Sequence, residues 1–296
     1  MFEGTTTALV TPFKQNGELD LEGLKKNVRF QVAGGINGLL ALGTTGESPT
    51  LSEQEKEQVV KATVAEARGK APVMVGSGTN DTRKTVKASQ LACDWGADAL
   101  LVVTPYYNKP TPKGIYEHFK AVNDAVDRPI VVYNIAGRTG KNIETQVMKR
   151  LAELEHIIGV KEASGNIDQI GDVCREIQAT RKGFTVWSGD DGLTFPAMAL
   201  GAKGVISVAS NLVPARVVAM TTAALQGKWE EARRLHFELL PLFKGIFIET
   251  NPIPIKAAMN WAGLAAGAYR LPMTEMEPQN AEKLRALLKS LGLLKG

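Results

Sequence analysis

Short apolar runs rich in β-branched residues recur along the first two thirds of the chain. Their first residues are between 20 and 34 positions apart, which leaves room for one strand, one helix and two short loops in each unit. The eight runs begin at Thr5, Gly38, Pro72, Ala99, Pro129, Ile157, Phe184 and Gly204. The pattern therefore predicts eight strands separated by helices.

Between the runs, apolar residues recur every three or four positions, as in residues 21–32, 52–67 and 82–95, which predicts helices. The runs themselves are almost continuously apolar, as in strands that helices cover on both faces. Eight such units indicate an α/β protein with a closed (β/α)8 TIM barrel. A doubly wound sheet is the alternative, but it usually has fewer strands and often a Gly-rich phosphate turn where this chain has TPF.

The strand signal ends near residue 225, and only helical patterns follow, in residues 229–243, 253–264 and 279–291. The chain has 296 residues, enough for one barrel of about 250 residues and a modest extension. We therefore expect a catalytic barrel domain over residues 1–224 and a C-terminal α-helical domain over residues 225–296.

The composition is that of an ordinary globular protein, with 44% hydrophobic and 22% charged residues. Its 35 basic and 31 acidic residues are interleaved, and no basic run is long enough to follow a phosphate backbone, so we expect no nucleic-acid partner. The sequence has neither a signal-peptide pattern nor a long apolar span, so we expect a cytoplasmic protein without a membrane partner. Cys93 and Cys174 lie far apart in helical patterns and indicate packing, not a disulfide framework.

Active sites of such barrels lie at the carboxyl ends of the strands, so polar residues that end a run or open the next loop are candidates for chemistry. Twelve residues meet this condition: Thr44, Thr45, Glu47, Asn80, Tyr106, Tyr107, Tyr133, Arg138, Lys161, Asp190, Asp191 and Ser207. Such residues also have ordinary structural uses. For example, Ser52 and Glu55 predict a capping box for the helix that follows the GTTGES string.

Lys161 is the most informative candidate because it interrupts the apolar run IIGVKEA inside a predicted strand. Burial disfavours the ammonium form, which lowers the pKa and exposes the amine lone pair needed to attack a carbonyl carbon. An ion pair inside the barrel is the competing interpretation, and these residues alone leave both open. Adjacent Glu162 is not the expected partner, since successive strand residues point to opposite faces.

Two other chemistries are disfavoured. His118, His156 and His236 lie in or beside helical patterns, and no pair has metal-ligand spacing, so we expect no metal. The SGDDG string after the seventh run places two carboxylates where a phosphate would bind in many barrels, which disfavours sugar phosphates. The expected substrate is a small carboxylate or carbonyl compound.

The chain resembles the dihydrodipicolinate synthase and N-acetylneuraminate lyase superfamily over nearly its whole length. The motifs occur in the family order and at the family spacing: GTTGES, VTPYYNKP, YNIAGRTG, GVKEASG, SGDD and GVISVASN. Sialic-acid lyases carry Ser-Thr where this chain has Thr44 and Thr45, and sugar-acid aldolases generally lack an arginine that matches Arg138. These features, together with the paired Tyr106 and Tyr107, favour the synthase branch.

The resemblance implies that Lys161 forms a Schiff base with pyruvate. It also implies a proton relay of Tyr133, Thr44 and Tyr107, in which Tyr133 protonates the departing hydroxyl during imine formation. In this family the tyrosine that matches Tyr107 reaches in from the adjacent subunit of a homotetramer, built as a dimer of dimers. No cofactor is expected.

The remaining implied contacts hold the two substrates. Thr45 and its backbone amide bind the pyruvate carboxylate, and Arg138 offers a planar fork to the carboxylate of L-aspartate 4-semialdehyde. Gly189 and Ile206 match positions that line the site through their backbone or shape. One departure is Ala136, two residues before Arg138, where many relatives have proline.

The resemblance also implies a regulatory site for the end product, lysine, at positions that match Ser48, Pro49, Glu53, Lys56, Asn80, Lys84 and Tyr106. Sensitive relatives usually have histidine where this chain has Lys56 and an acidic residue where it has Lys84. Because two fixed cations repel the ammonium groups of lysine, we predict weak inhibition or none.

Two other functions stay open. A pyruvate-dependent aldolase for a sugar acid or another 2-oxo acid would use the same Lys161 with a different electrophile. A barrel that binds a small oxo acid as a regulator would not turn it over. Borohydride trapping with pyruvate separates enzyme from binder, and a panel of electrophiles separates the two enzymes.

Overall fold

The computed structural model describes residues 2–294 and contains eight strands that pair in chain order and close into a parallel barrel. Each strand falls within or next to one of the predicted apolar runs, so the predicted (β/α)8 TIM barrel is confirmed. The strands are β1 (Gly4–Ala8), β2 (Gly38–Ala41), β3 (Val73–Gly76), β4 (Ala99–Val103), β5 (Ile130–Asn134), β6 (Ile157–Glu162), β7 (Thr185–Ser188) and β8 (Gly204–Ser207).

The helices alternate with the strands as far as β8 and then continue alone, which confirms the predicted C-terminal helices. Those in the barrel are α1 (Leu21–Ala33), α2 (Glu53–Ala67), α3 (Thr82–Asp94), α4 (Pro112–Asn123), α5 (Ala136–Thr139), α6 (Thr145–Ala152), α7 (Ile167–Val173), α8 (Thr194–Ala199) and α9 (Pro214–Leu225). The last three are α10 (Trp229–Gly245), α11 (Ile253–Trp261) and α12 (Pro278–Ser290).

Local sequence explains where several of these elements begin. The predicted capping box is present, because Ser52 accepts a hydrogen bond from the amide of Glu55 and the Glu55 side chain accepts one from the amide of Ser52. Asp20 caps α1 through the amide of Gly23. Strands such as β2 and β5 are buried along their whole length, which explains why their runs lack polar alternation.

The chain divides into two compact units. One comprises Met1–Pro72 and Ser207–Gly296, with β1, β2 and the C-terminal helices, and the other comprises Val73–Ile206, with β3 to β7. The domain boundary expected between residues 224 and 225 falls at the end of α9 and stays a prediction. Residue 1 and residues 295–296 of the expected domains lie outside the described residues.

Three local features refine the predicted pattern. The segment between β5 and β6 has two helices, because the four-residue turn α5 precedes α6. Cys174 is buried and begins a short π-helical turn, and Cys93 is partly buried; both thiols are free, as expected of packing residues. Within residues 2–294, no helix combines the length and apolar character needed to cross a bilayer.

Candidate active site

Lys161 lies near the end of β6, and its side chain is buried. The register of β5 and β6 places it beside Tyr133, and its Nζ lies 4.3 Å from the centroid of the Tyr133 ring. Burial lowers the pKa of Lys161 to about 7, an effect that Asp191 opposes and Arg138 reinforces. No ion pair among the described residues includes Lys161. The competing ion pair is thus absent among residues 2–294, and a lowered pKa is a property that a nucleophilic amine requires, so the nucleophile stays the prediction for Lys161.

Gly189, the residue after β7, leaves space for the stem of this lysine. A Cβ added at Gly189 would lie 2.6 Å from Cβ of Ala163 and 3.0 Å from Cε of Lys161. Both distances are shorter than ordinary van der Waals contact, so a larger residue would displace the lysine. Ile206 is buried in β8.

The two aspartates after β7 have different surroundings. Asp190 is structural, because its Oδ1 accepts a hydrogen bond of 2.7 Å from the amide of Gly192. Asp191 is buried and close enough to Lys161 to raise its pKa. Arg138, in α5, acts in the opposite sense on the same lysine. One carboxylate and one guanidinium thus act on the pKa of Lys161 in opposite directions.

The GTTGES string follows β2 and forms two 3₁₀ turns, Thr44–Gly46 and Ser48–Thr50, with Glu47 between them in the left-handed region at φ 51°. Thr44 is half-buried and Thr45 is buried. The Oγ1 of Thr45 accepts a hydrogen bond of 3.0 Å from Nδ2 of Asn251, a residue of the segment before α11.

Glu47 holds this turn in place through a buried ion pair. Nζ of Lys256 in α11 lies 2.6 Å from Oε1 of Glu47 and also donates to the carbonyl of Ala268 at 2.5 Å. The amide of Arg270 donates to the second carboxylate oxygen at 3.3 Å. Lys256 and Glu47 expose no more than 2% of their side chains, so both charges depend on each other.

Tyr107 stands apart from the buried residues. It is 86% exposed and has a φ of 71°, a conformation that costs energy in a non-glycine residue. Its neighbour Tyr106 is 39% exposed, and the side chain of Asn108 ties the loop to the carbonyl of Asn80 at 2.8 Å. Lys84 is exposed at the start of α3.

The other positions expected to match a lysine site lie around the start of α2. Ser48 and Lys56 are half-buried, whereas Pro49 and Glu53 are exposed. Ser48 and Pro49 belong to the second 3₁₀ turn of the GTTGES string. The role of these residues toward lysine stays a prediction.

The sequence predicted Lys161 and several residues near it, but not the residues whose hydrogen bonds and ion pairs hold other side chains in place. The structure brings Lys161, Tyr133 and Gly189 together and places Arg138 and Asp191 within electrostatic reach. Three supporting residues were missed: Asn251, which donates to Thr45, Lys256, which pairs with Glu47, and Gln169, whose Nε2 donates to Oε2 of Glu162 at 3.2 Å. A lysine inside the apolar string IPIKAAM was the available signal for Lys256.

Metal ligands are not grouped in the described residues: no cluster of three or more histidine, cysteine, aspartate or glutamate side chains has the geometry for a metal ion. The fold and the strand lysine together define a class, a (β/α)8 barrel with a buried lysine that has no ion-pair partner among residues 2–294. Comparisons with known proteins narrow this class to one family.

Residues 1–291 match the dihydrodipicolinate synthetase family. The 4-hydroxy-tetrahydrodipicolinate synthase of Protochlamydia amoebophila is 48% identical over 289 residues, covering 98% of this chain and 96% of that protein. A crystal structure of dihydrodipicolinate synthase from Aquifex aeolicus matches with a TM-score of 0.96 and 48% identity over 100% of both chains. A structure described as a monomeric dihydrodipicolinate synthase variant has a TM-score of 0.97 and 47% identity, covering 99% of this chain and 98% of that one. The chain belongs to the dihydrodipicolinate synthetase family.

Proposed function

We propose that the protein is a 4-hydroxy-tetrahydrodipicolinate synthase, a Schiff-base-forming lyase of lysine (diaminopimelate) biosynthesis that condenses pyruvate with L-aspartate 4-semialdehyde. One observation carries the chemistry: Lys161 is buried in a strand without an ion-pair partner among residues 2–294, and its pKa is lowered to about 7. The names of the relatives give the product of the reaction. Pyruvate and L-aspartate 4-semialdehyde are the substrates that the family resemblance implies.

The proposed reaction begins when the unprotonated Nζ of Lys161 attacks the keto carbon of pyruvate. The carbinolamine loses water as Tyr133 protonates the departing hydroxyl, which leaves an imine. The proximity of Tyr133, whose ring centroid lies 4.3 Å from Nζ, supports this role. Thr44 relays the proton between Tyr133 and Tyr107, and the hydroxyl and amide of Thr45 hold the pyruvate carboxylate.

The imine then loses a methyl proton and becomes an enamine, whose carbon attacks the aldehyde of the semialdehyde. Arg138 binds the carboxylate of that substrate and orients the aldehyde. The amino group of the semialdehyde finally attacks the imine carbon, which closes the ring and frees the amine of Lys161. Gly189 and Ile206 shape the space in which these steps occur, and no step needs a cofactor.

A homotetramer with a shared site is part of the proposal. Tyr107 is 86% exposed in a single chain, which is unusual for a tyrosine with a catalytic role and fits one that enters a neighbouring subunit. Mixing a Tyr107→Phe subunit with a Lys161→Ala subunit should regain activity in hybrid oligomers. Hybrids no more active than either parent would contradict the shared site. The cytoplasmic location stays a prediction.

Borohydride trapping tests the proposed chemistry. Protein incubated with pyruvate and sodium borohydride is digested, and the peptides are analysed by mass spectrometry. We expect the reduced pyruvyl adduct on the peptide with Lys161 and none on the peptide with Lys256, which is also buried and serves as the matched control. Pyruvate binding without an adduct would indicate the regulatory binder.

A panel of aldehydes, offered to protein that forms the adduct, then identifies the electrophile. Turnover with L-aspartate 4-semialdehyde, well above that with sugar-derived aldehydes, would support the synthase. Turnover only with sugar-derived aldehydes or with another 2-oxo acid would support the aldolase instead.

A further inference from the structure

A buried carboxylate lies directly behind the candidate nucleophile. Glu162 follows Lys161 in β6, Asn134 follows Tyr133 in β5, and the strand register pairs these two followers. Since successive strand residues point to opposite faces, both turn away from the lysine, as the sequence predicted for Glu162. Their exposed fractions are 1% for Glu162 and 0% for Asn134.

Hydrogen-bond donors surround the carboxylate of Glu162. No cationic side chain among residues 2–294 forms an ion pair with it. Oε1 accepts from the amide of Ser164 at 2.9 Å and from Nδ2 of Asn134 at 3.1 Å. Oε2 accepts from Nδ2 of Asn134 at 3.1 Å and from Nε2 of Gln169 at 3.2 Å. A buried acceptor of this kind is costly to replace, because its donors are left without partners.

The same network reaches the segment that carries Arg138. After α5, the chain returns through Asn142 and Ile143. Oδ1 of Asn142 accepts from Nδ2 of Asn134 at 2.8 Å, and Nδ2 of Asn142 donates to Oε1 of Gln169 at 2.8 Å. The amide of Ile143 donates to Oδ1 of Asn134 at 3.0 Å. Two side chains that contact Glu162 therefore also fix the return from α5.

The strands and the turn that this network joins differ in their other stabilising contacts. β5 and β6 share a ladder of five paired residues, so the position of Lys161 beside Tyr133 does not depend on Glu162. By contrast, α5 is a single four-residue turn, closed by Gly140 in the left-handed region at φ 69°. The turn therefore depends more than the strands on side-chain hydrogen bonds.

We propose that Glu162 is a positioning residue for the electrophile, which acts through Asn134, Gln169 and Asn142 on the turn that carries Arg138. The inference rests on the proposed function, since it takes Arg138 as the group that binds the semialdehyde carboxylate. Loss of the acceptor pattern at Glu162 loosens the Arg138 turn and leaves the lysine and its imine in place.

Glu162→Gln is the primary test because it keeps the shape and turns one acceptor into a donor that faces other donors. We expect the KM for the semialdehyde to rise about tenfold, the equivalent of one charge-assisted hydrogen bond. The KM for pyruvate and the rate of borohydride trapping should stay within about twofold of wild type. A uniform loss of both half-reactions would indicate a merely structural residue and would overturn the inference.

Glu144→Gln is the matched control. Glu144 accepts from Nδ2 of Asn142 at 3.0 Å at the exposed end of the network, and the same chemical change there should leave both KM values unaltered. If Glu162→Gln does not fold, Asn142→Ala removes the link between turn and network at a half-buried position. The same split between substrates, at severalfold, is expected there, and equal effects on both substrates would overturn the inference.

A reciprocal exchange of Asn134 and Glu162 tests whether one residue of this pair must donate and the other accept. Asn134→Asp alone opposes two carboxylates, whereas Asn134→Asp with Glu162→Gln restores one acceptor and one donor. We expect the double variant to bind the semialdehyde better than the Asn134→Asp single variant, and no recovery would overturn the assignment of Glu162 as a positioning residue. Wild-type trapping is measured alongside: its absence would overturn the proposed function and this inference with it, whereas normal trapping with an unchanged semialdehyde KM in Glu162→Gln overturns the inference alone.

Discussion

Two lysines are buried in the part of the chain that the structure describes, and they differ in what surrounds the ammonium group. Lys256 lies 2.6 Å from the carboxylate of Glu47 and 4.6 Å from the centroid of the Phe13 ring. Lys161 faces the ring of Tyr133 at a similar distance, 4.3 Å, but forms no ion pair with any described residue. Burial and an aromatic neighbour are common to both, and the carboxylate is the difference.

That difference separates a structural cation, Lys256, from the proposed nucleophile, Lys161. Burial lowers the pKa of both lysines, but Glu47 opposes the effect at Lys256 through its charge and its hydrogen bond. At Lys161 the opposition comes from the charge of Asp191, which the charge of Arg138 counters. Burial alone therefore does not make a reactive amine. An amine becomes reactive where burial occurs without a bonded carboxylate.

Removing the amine of Lys161 should have the largest effect. Lys161→Ala and Lys161→Arg should each lower turnover by at least about a thousandfold, as loss of a covalent nucleophile does in other enzymes. Neither variant should be trapped by borohydride with pyruvate, because Lys256 is ion-paired. Steady-state kinetics and peptide mass spectrometry measure the two effects. Substantial turnover with an adduct at another lysine would end the distinction between the two sites.

Removing the carboxylate beside Lys256 should lower the free energy of unfolding. Glu47→Gln leaves a buried ammonium group without its charge partner, and breaking such a pair typically costs about 3–5 kcal/mol of stability. Chemical denaturation at pH 7 measures the loss. Glu57→Gln is the control, since its ion pair with Lys61 is solvent-exposed and should change stability by less than about 1 kcal/mol. If Glu47→Gln loses no more stability than Glu57→Gln, then Glu47 and Lys256 do not depend on each other.

Removing Arg138 should affect the substrates unequally. Arg138→Ala should weaken use of the semialdehyde about ten- to a hundredfold, the range of one charge-assisted hydrogen-bonded contact, and change use of pyruvate far less. Separate kinetic constants for the two substrates decide the matter. If both fall together, Arg138 serves the loop and not the electrophile.

Imine formation should depend on pH through Lys161. Because its pKa is lowered to about 7, the trapping rate with pyruvate should rise about tenfold per pH unit below that value and level off above it. Asp191→Asn removes a charge that raises this pKa, so its midpoint should move to lower pH. Arg138→Ala removes a charge that lowers it, and its midpoint should move to higher pH. Midpoints that do not move would exclude these charges as the source of tuning.

Inhibition by free L-lysine should be the smallest of these effects, and it depends on one exposed and one half-buried lysine side chain. The family resemblance implies that Lys56 and Lys84 match positions of a lysine site in sensitive relatives. Their charges should keep L-lysine from inhibiting at concentrations below about 0.1 mM, or roughly 5 kcal/mol of binding. Activity at saturating substrates and calorimetry with L-lysine test this. Tight binding would mean that Glu53 or other nearby groups overcome the repulsion.

Local pattern was enough to predict the strands and most helices, because fully buried strands and amphipathic helices repeat within a few residues. The alternation within β6 also predicted that Lys161 and Glu162 point to opposite faces, and the hydrogen bonds of Glu162 confirm it. The partner of Glu47 was not predictable in this way. Lys256 is 209 residues away, and no local period relates two positions so distant.

The same limit applies to the supports of the candidate site. Asn251 reaches Thr45 across 206 residues. The loop aspartate Asp191 was predicted as a strand-end candidate and as a charge that repels phosphate, but not as a group that acts on Lys161. Its effect on Lys161 depends on how β6 and β7 lie beside each other, which three-dimensional packing determines. The family resemblance identified residues expected to contact substrate, whereas the residues that hold them are brought there by three-dimensional packing.

The unpaired burial of Lys161 has a thermodynamic consequence: unfolding takes up a proton. Between about pH 7 and the ordinary lysine pKa of 10.5, this side chain is neutral in the folded protein and charged in the unfolded chain. Its contribution to stability therefore rises as pH increases through that window, and below about pH 7 the folded protein bears the full cost of burying the charge, a few kcal/mol. An apolar residue at position 161 would remove this cost. Selection for stability alone would thus replace the residue on which the proposed chemistry depends.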